Sequence, residues 1–159
     1  MKKIISIILS TTLLILCFTS CETYSKKYKQ EFSPIYPLCG EWRVNITDNT
    51  TKKAVRTTIF TYDTANKDKD IMWVWINDKV YGTKCKIECN VANGTFNSKK
   101  VDNRLLGGTN DVEGKVVVNG AKTPSGGTED SIEMTYYSSL TGHSYHISGY
   151  RRTGWAEDE

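Results

Sequence analysis

The side chains able to do covalent chemistry are few and scattered. The chain has two histidines, His143 and His146, with Ser144 between them. Thiols stand at Cys39, Cys85 and Cys89, and further upstream at Cys17 and Cys21. A nucleophile is activated only by a base within hydrogen-bond reach. In a strand Ser144 and its two neighbours point to opposite faces, so that pairing fails. Cys85 or Cys89 with His146 would need two strands to bring them together, and no spacing demands it. No G-x-S-x-G elbow is present. Asp68 and Asp70 fall in a charged stretch and Glu157 to Glu159 in a terminal one, where solvated carboxylates are expected. Gly107-Gly108 and Gly126-Gly127 lack the Lys-Ser or Lys-Thr that a phosphate cradle needs. Without a close C-x-x-C pair no metal site is expected, and no cofactor is implied. The expectation is a protein without catalytic residues.

Aromatic side chains offer non-covalent chemistry instead. Trp73 and Trp75 share one face of a strand-like run, with Met72, Val74 and Ile76 on the other. Together with Tyr81, Met134, Tyr136 and Tyr145 they are the candidate binding residues, lining a cavity for an apolar molecule or packing a filled core.

These side chains must be positioned by strands. From Gly40 onward short runs of alternating apolar and polar residues separate turn signals. Trp42, Val44 and Ile46 form one such face; Tyr81, Thr83, Cys85, Ile87 and Cys89 form another; Ile132, Met134 and Tyr136 a third. Val55 to Tyr62 is rich in strand formers, and Asn93-Gly94 is a strong hairpin signal. Asn103 to Asp111 reads as irregular and Asn119 to Asp130 as a long polar loop, with Tyr145 to Arg152 closing the series. The total is about eight antiparallel strands and no helical stripe. An all-β meander barrel fits this pattern, and so does a two-sheet sandwich. An eight-stranded barrel holds packed side chains or one small ligand.

Cys85 and Cys89 lie about 13 Å apart in an extended strand, beyond disulfide reach. Either Cys39 bridges one of them or all three are buried free thiols.

The N-terminus reads as an export signal. Met1-Lys2-Lys3 is basic, and Ile4 to Phe18 is uncharged but interrupted by Ser6, Ser10, Thr11 and Thr12. A spanning helix needs roughly 18–20 strongly apolar residues, more than this run supplies. The segment ends Phe18-Thr19-Ser20-Cys21, which resembles the bacterial lipobox, with Phe18 in place of the usual Leu. That resemblance implies a lipoprotein: a signal peptide over 1–20, a lipid anchor on Cys21, and attachment to the cell envelope at the outer membrane, facing periplasm or cell surface. The organisation expected is a tether over 21–38, a barrel domain over 39–155 and an acidic tail over 156–159. The Phe32–Leu38 end of the tether is the part with apolar residues to pack. Removing Lys2 and Lys3 lowers the formal charge from +3 to +1. Such a balance argues against nucleic acid as a partner.

Gly40-Glu41-Trp42 opens the first strand and Arg151-Arg152 closes the last. This looks like the lipocalin signature, in which a G-x-W tryptophan and a late arginine close one barrel end. Gly40, Trp42, Arg151 and Arg152 are thereby implied as barrel-closing residues. The two arginines face opposite ways, so only one can cover the indole. The chain is further similar to a family of lipocalin-like lipoproteins from Bacteroidetes, labelled lipid-binding putative hydrolases. The similarity is carried by the signal ending at Cys21, Gly40-Glu41-Trp42-Arg43-Val44, Thr123-Pro124-Ser125 and Ser148-Gly149-Tyr150-Arg151-Arg152-Thr153-Gly154. It implies a barrel with a lipid-like or apolar ligand. The alternative is an anchored interaction module that docks on another envelope component.

Overall fold

The computed structural model describes residues 31–159. The export signal, Cys21 and the first part of the tether lie outside the described residues. Eight antiparallel strands close into one barrel in simple meander order. They are β1 (Gly40–Asp48), β2 (Ala54–Asp63), β3 (Ile71–Ile76), β4 (Thr83–Asn90), β5 (Thr95–Asp102), β6 (Thr109–Lys122), β7 (Thr128–Ser138) and β8 (His143–Arg151). Closure is made by β1 against β8, from Trp42↔Arg151 to Asp48↔Tyr145. That ladder decides for the barrel over the sandwich.

Period-two alternation sets the inside. Trp42, Val44 and Ile46 of β1, Met72, Val74 and Ile76 of β3, and Ile132, Met134 and Tyr136 of β7 are all buried and point inward. Gly149 lies in β8 where the chain crosses β1; a Cβ there would collide with the Arg43 carbonyl and Val44. Glycine is what lets the closing pair approach.

The strands run longer than their apolar residues suggest. β6 begins at Thr109 and extends to Lys122, and β7 begins at Thr128, so much of the stretch that reads as a long polar loop is strand, while Asn103 to Gly108 is irregular as expected. The β6–β7 ladder resumes at Ala121↔Glu129 after a register shift past Val117. Beyond the barrel rim both faces of a hairpin meet water, so polar residues pair there without an apolar face to announce them. By contrast β4 and β5 pair only at Cys89↔Phe96 and Asn90↔Thr95. Further along they are bridged by Glu88 N donating to Ser98 Oγ (2.8 Å) and Lys84 N donating to Asn103 Oδ1 (3.1 Å).

The last tether residues join the core. Tyr36–Leu38 is a short 3-10 turn with Pro37 in its first turn, and Ile35 and Leu38 are fully buried. Phe32 remains exposed. Burying Ile35 and Leu38 contributes roughly 1.5–3 kcal/mol each.

Candidate functional site

One barrel end is plugged. Trp42 is fully buried, and its indole Nε1 donates to Thr61 Oγ1 at 2.8 Å. Thr61 Oγ1 in turn donates to the Leu38 carbonyl at 2.6 Å. The Arg151 guanidinium lies 4.5 Å from the indole centroid. It also donates to the Cys39 carbonyl and to Asp130, at 3.0 Å from Nη2. Gly40 explains the spacing before the tryptophan: a Cβ there would stand 2.5 Å from Arg151 Nη1 and 3.2 Å from the indole. Arg152 faces outward and pairs with Glu41 and Glu159. Of the two arginines, Arg151 covers Trp42.

The opposite end is lined by tyrosines. Tyr136 and Tyr145 stack with centroids 4.7 Å apart, and Tyr81 meets Tyr145 edge-on at 5.6 Å. Tyr81 comes from the β3–β4 loop, and Tyr136 Oη donates to its carbonyl at 2.7 Å. Burial, reinforced by Tyr145 and Asp78, pushes the Tyr136 phenol far up, so it stays a donor. Beside the tyrosines lies a buried polar cluster. Asn110 Nδ2 donates to Thr83 Oγ1 at 2.5 Å, and Thr83 Oγ1 is 3.1 Å from Cys85 Sγ. Asn110 is 1% exposed, and its Oδ1 has no hydrogen-bond partner among the described residues. Buried carbonyl oxygens are almost always paired, and an unpaired one in an aromatic setting is an open acceptor.

Met134, Tyr136 and Tyr145 are thus inside, with Tyr81 over the tyrosine end. Trp73 and Trp75 do not join them. They project from the outer wall, because pairing of Met72 with Ile87 and Ile76 with Ile59 turns the aliphatic face of β3 inward. A barrel of eight strands that already encloses Trp42 has little volume for two more indoles. Outside, Trp75 packs on Phe60 (5.3 Å) and Trp73 stacks on Tyr62 (6.3 Å). Lys84, Lys86 and Arg104 lie 5.1–5.6 Å from the Trp73 centroid.

The histidines take different positions. His143 Nδ1 lies 2.9 Å from Asp48 Oδ2 at the rim of the tyrosine end. Burial alone would raise the Asp48 carboxyl. Hydrogen bonds from Thr50 N, His143 and Thr51 outweigh it and hold the group well below the usual carboxylate range. This is a base with its orienting acid, two of the three members of a nucleophilic triad. Among the described residues, neither histidine ring is hydrogen-bonded to a serine or cysteine. Cys39, Cys85 and Cys89 are free thiols. Burial pushes all three up, Cys39 to about 11, so none is a ready thiolate.

Of the C-terminal acidic residues Glu157 and Glu159 are exposed, as expected, but Asp158 is not. Asp158 is buried, with Ser125 N donating to it at 2.7 Å and Thr153 Oγ1 at 2.7 Å. Burial would raise its carboxyl, but these bonds hold it below its ordinary value. Tyr150 Oη and Arg56 Nη2 both donate to the Asp158 carbonyl, and Glu159 pairs with Arg43. Residues 153–159 therefore form a strap across the outer wall. The Thr123-Pro124-Ser125 turn is its catch. Sequence reasoning missed the strap, the His143–Asp48 pair and Asn110. Their partners lie 19 to 95 residues away, and no local signal marks them.

Open grooves lie on the barrel wall. One of about 450 Å³ runs over β5–β7 past Asn97, Glu113, Lys115 and Thr135. A second of about 200 Å³ adjoins it at Lys99 and Asp111. The first has a mixed, slightly polar lining and the second a mainly apolar one.

Fold and site together define a small closed antiparallel β-barrel, plugged at one end by an indole and a guanidinium and lined by tyrosines at the other. The chain belongs to the family described as lipid-binding putative hydrolase, whose model matches residues 27–156. No curated protein matches the sequence.

Proposed function

We propose that this chain is a cell-envelope lipoprotein, held at the outer membrane by lipid on Cys21, whose lipocalin-like barrel binds a small apolar or lipid-like molecule without turning it over. Membership of a lipid-binding family supports an apolar ligand. One observation carries the placing of the ligand: the unpartnered Oδ1 of Asn110, buried beside Tyr81, Tyr136 and Tyr145. An apolar body against the tyrosines with one hydroxyl or amine donating to Asn110 satisfies both surfaces. Tyr81 stands over this end on a loop fastened by the Tyr136 hydrogen bond, and releasing that bond opens the way in. Among the described residues no serine or cysteine is hydrogen-bonded to the His143 ring that Asp48 orients, which is why the reading stops at binding.

Native mass spectrometry of residues 22–159 tests this. The expected result is a retained apolar molecule that is lost in Tyr145→Ala and bound more weakly in Asn110→Leu. An empty protein with no fluorescence response to a panel of fatty acids and sterols refutes the reading. Ester hydrolysis that persists through purification and disappears with His143→Ala overturns the absence of turnover.

A further inference from the structure

The tyrosine end carries a pattern that ligand binding does not use. Four turns meet there: β1–β2, β3–β4, β5–β6 and β7–β8. Three present an apolar tip to solvent, Val80 at 62%, Leu140 at 57% and Leu105 at 38% exposure. Two of these tips follow directly on a cation, Lys79-Val80 and Arg104-Leu105, and the β1–β2 turn adds Lys52 and Lys53. Next to the rim stand Trp73 and Trp75, with Lys84 lying 5.6 and 5.2 Å from their centroids. Among the described residues, none of Lys52, Lys53, Lys79, Lys84 or Arg104 is in an ion pair, although the molecule pairs its arginines elsewhere. The acids of this end are mostly engaged. Asp48 is held by its own turn and His143, and Asp78 accepts from Val80 N and Tyr81 N. Asp102 is exposed. The other end also exposes apolar groups, Phe32, Tyr36, Val118 and Trp155, but in its β2–β3 turn Lys67 and Lys69 alternate with Asp68 and Asp70, and its strap carries Glu157.

Apolar tips, unpaired cations and flanking tryptophans are the three components of a surface that settles into a bilayer interface. The tips enter the acyl boundary, the cations meet lipid phosphates, and the indoles lie at headgroup level. We propose that the tyrosine end of the barrel docks on an anionic phospholipid bilayer through Val80, Leu105 and Leu140, with Lys79, Arg104 and Lys84 on the phosphates. Charge complementarity selects the occupant: five unpaired cations crowd a rim whose apolar tips are too small and separated for a protein hot spot. The inference does not rest on the ligand reading and stands with an empty barrel.

The test uses the full chain reconstituted into vesicles of phosphatidylcholine, alone or mixed with phosphatidylglycerol. Hydrogen–deuterium exchange reads the turns 77–82, 103–108 and 139–142. Several-fold slower exchange is expected in phosphatidylglycerol vesicles only, reversed by high salt. Turns 64–70 and 123–127 should not change. The surface variants Lys79→Glu/Arg104→Glu and Val80→Asp/Leu140→Asp should each abolish the protection with unchanged melting temperature. No protection, equal protection in phosphatidylcholine alone, or protection of the opposite end overturns the proposal. So does equal protection by soluble glycerol phosphate or by polyglutamate, which would assign the rim to a free phosphate or an acidic protein. Native mass spectrometry of the same variants keeps a failure of docking distinct from a failure to hold an apolar molecule.

Discussion

Replacing Trp42 with alanine probes the plugged end most directly. The side chain is fully buried, so truncation removes its transfer energy and leaves a cavity, together about 3–5 kcal/mol. The Arg151 guanidinium, 4.5 Å from the indole centroid, loses a cation–π contact of about 1–2 kcal/mol within that total. For a domain of this size, each kcal/mol moves the melting temperature by roughly 4 °C, so Trp42→Ala should lower it by about 10–20 °C. A double-mutant cycle isolates the arginine. Trp42→Ala combined with Arg151→Ala should show a coupling of about 1–2 kcal/mol, and with Arg152→Ala close to zero, because Arg152 points to Glu41 and Glu159. Calorimetry on the three single variants, the two double variants and the parent measures both quantities. A shift of only a few degrees, or equal coupling to the two arginines, refutes the plug as drawn.

Two further outcomes follow from the structure. Asp48 and Asp158 are both held below the ordinary carboxylate value, so each contributes stability that is present above about pH 4 and lost as pH falls through its lowered value. Asp48→Asn and Asp158→Asn should therefore flatten the acid side of a plot of melting temperature against pH; an unchanged acid limb in both contradicts the assignment. The sparse β4–β5 ladder should also register in hydrogen exchange. Peptides spanning Asn97–Lys100 are expected to exchange about tenfold faster than those spanning Val112–Val116, and equal protection would show that the bridging side chains hold the two strands as firmly as backbone pairing.

Much of the architecture can be read from local pattern because a meander barrel is local. Each strand pairs with the next, and the turn signals at Asn93-Gly94 and Asp48 to Lys52 mark where the chain reverses. Alternation gave Trp42, Val44 and Ile46 a common face, and they share one. What alternation cannot supply is which face of a doubly apolar strand turns inward. β3 is apolar on both sides, so Trp73 and Trp75 looked as eligible as Met72 and Val74; the deciding terms are cross-strand partners and the volume of an eight-stranded interior. Polar pairing beyond the rim was equally hidden, as the lengths of β6 and β7 show. The tyrosines at 136 and 145 were recognisable from their inward positions. The groups that sharpen their site, Asn110 and the His143–Asp48 pair, depend on contacts between distant strands.

The seam between β1 and β8 has a kinetic consequence. Seven of the ladders join neighbours through hairpins, whereas Trp42↔Arg151 joins residues at opposite ends of the domain. Closing that loop demands the largest entropy loss before any contact rewards it. The side-chain contacts that span the longest separations among the described residues lie at this seam: Arg43 to Glu159, Arg151 to Pro37 and Cys39, and Arg152 to Glu41. They form only when the cylinder is complete, so they slow its opening more than they speed its assembly. The seam acts as a fastener, set last in folding and released first when the barrel unrolls.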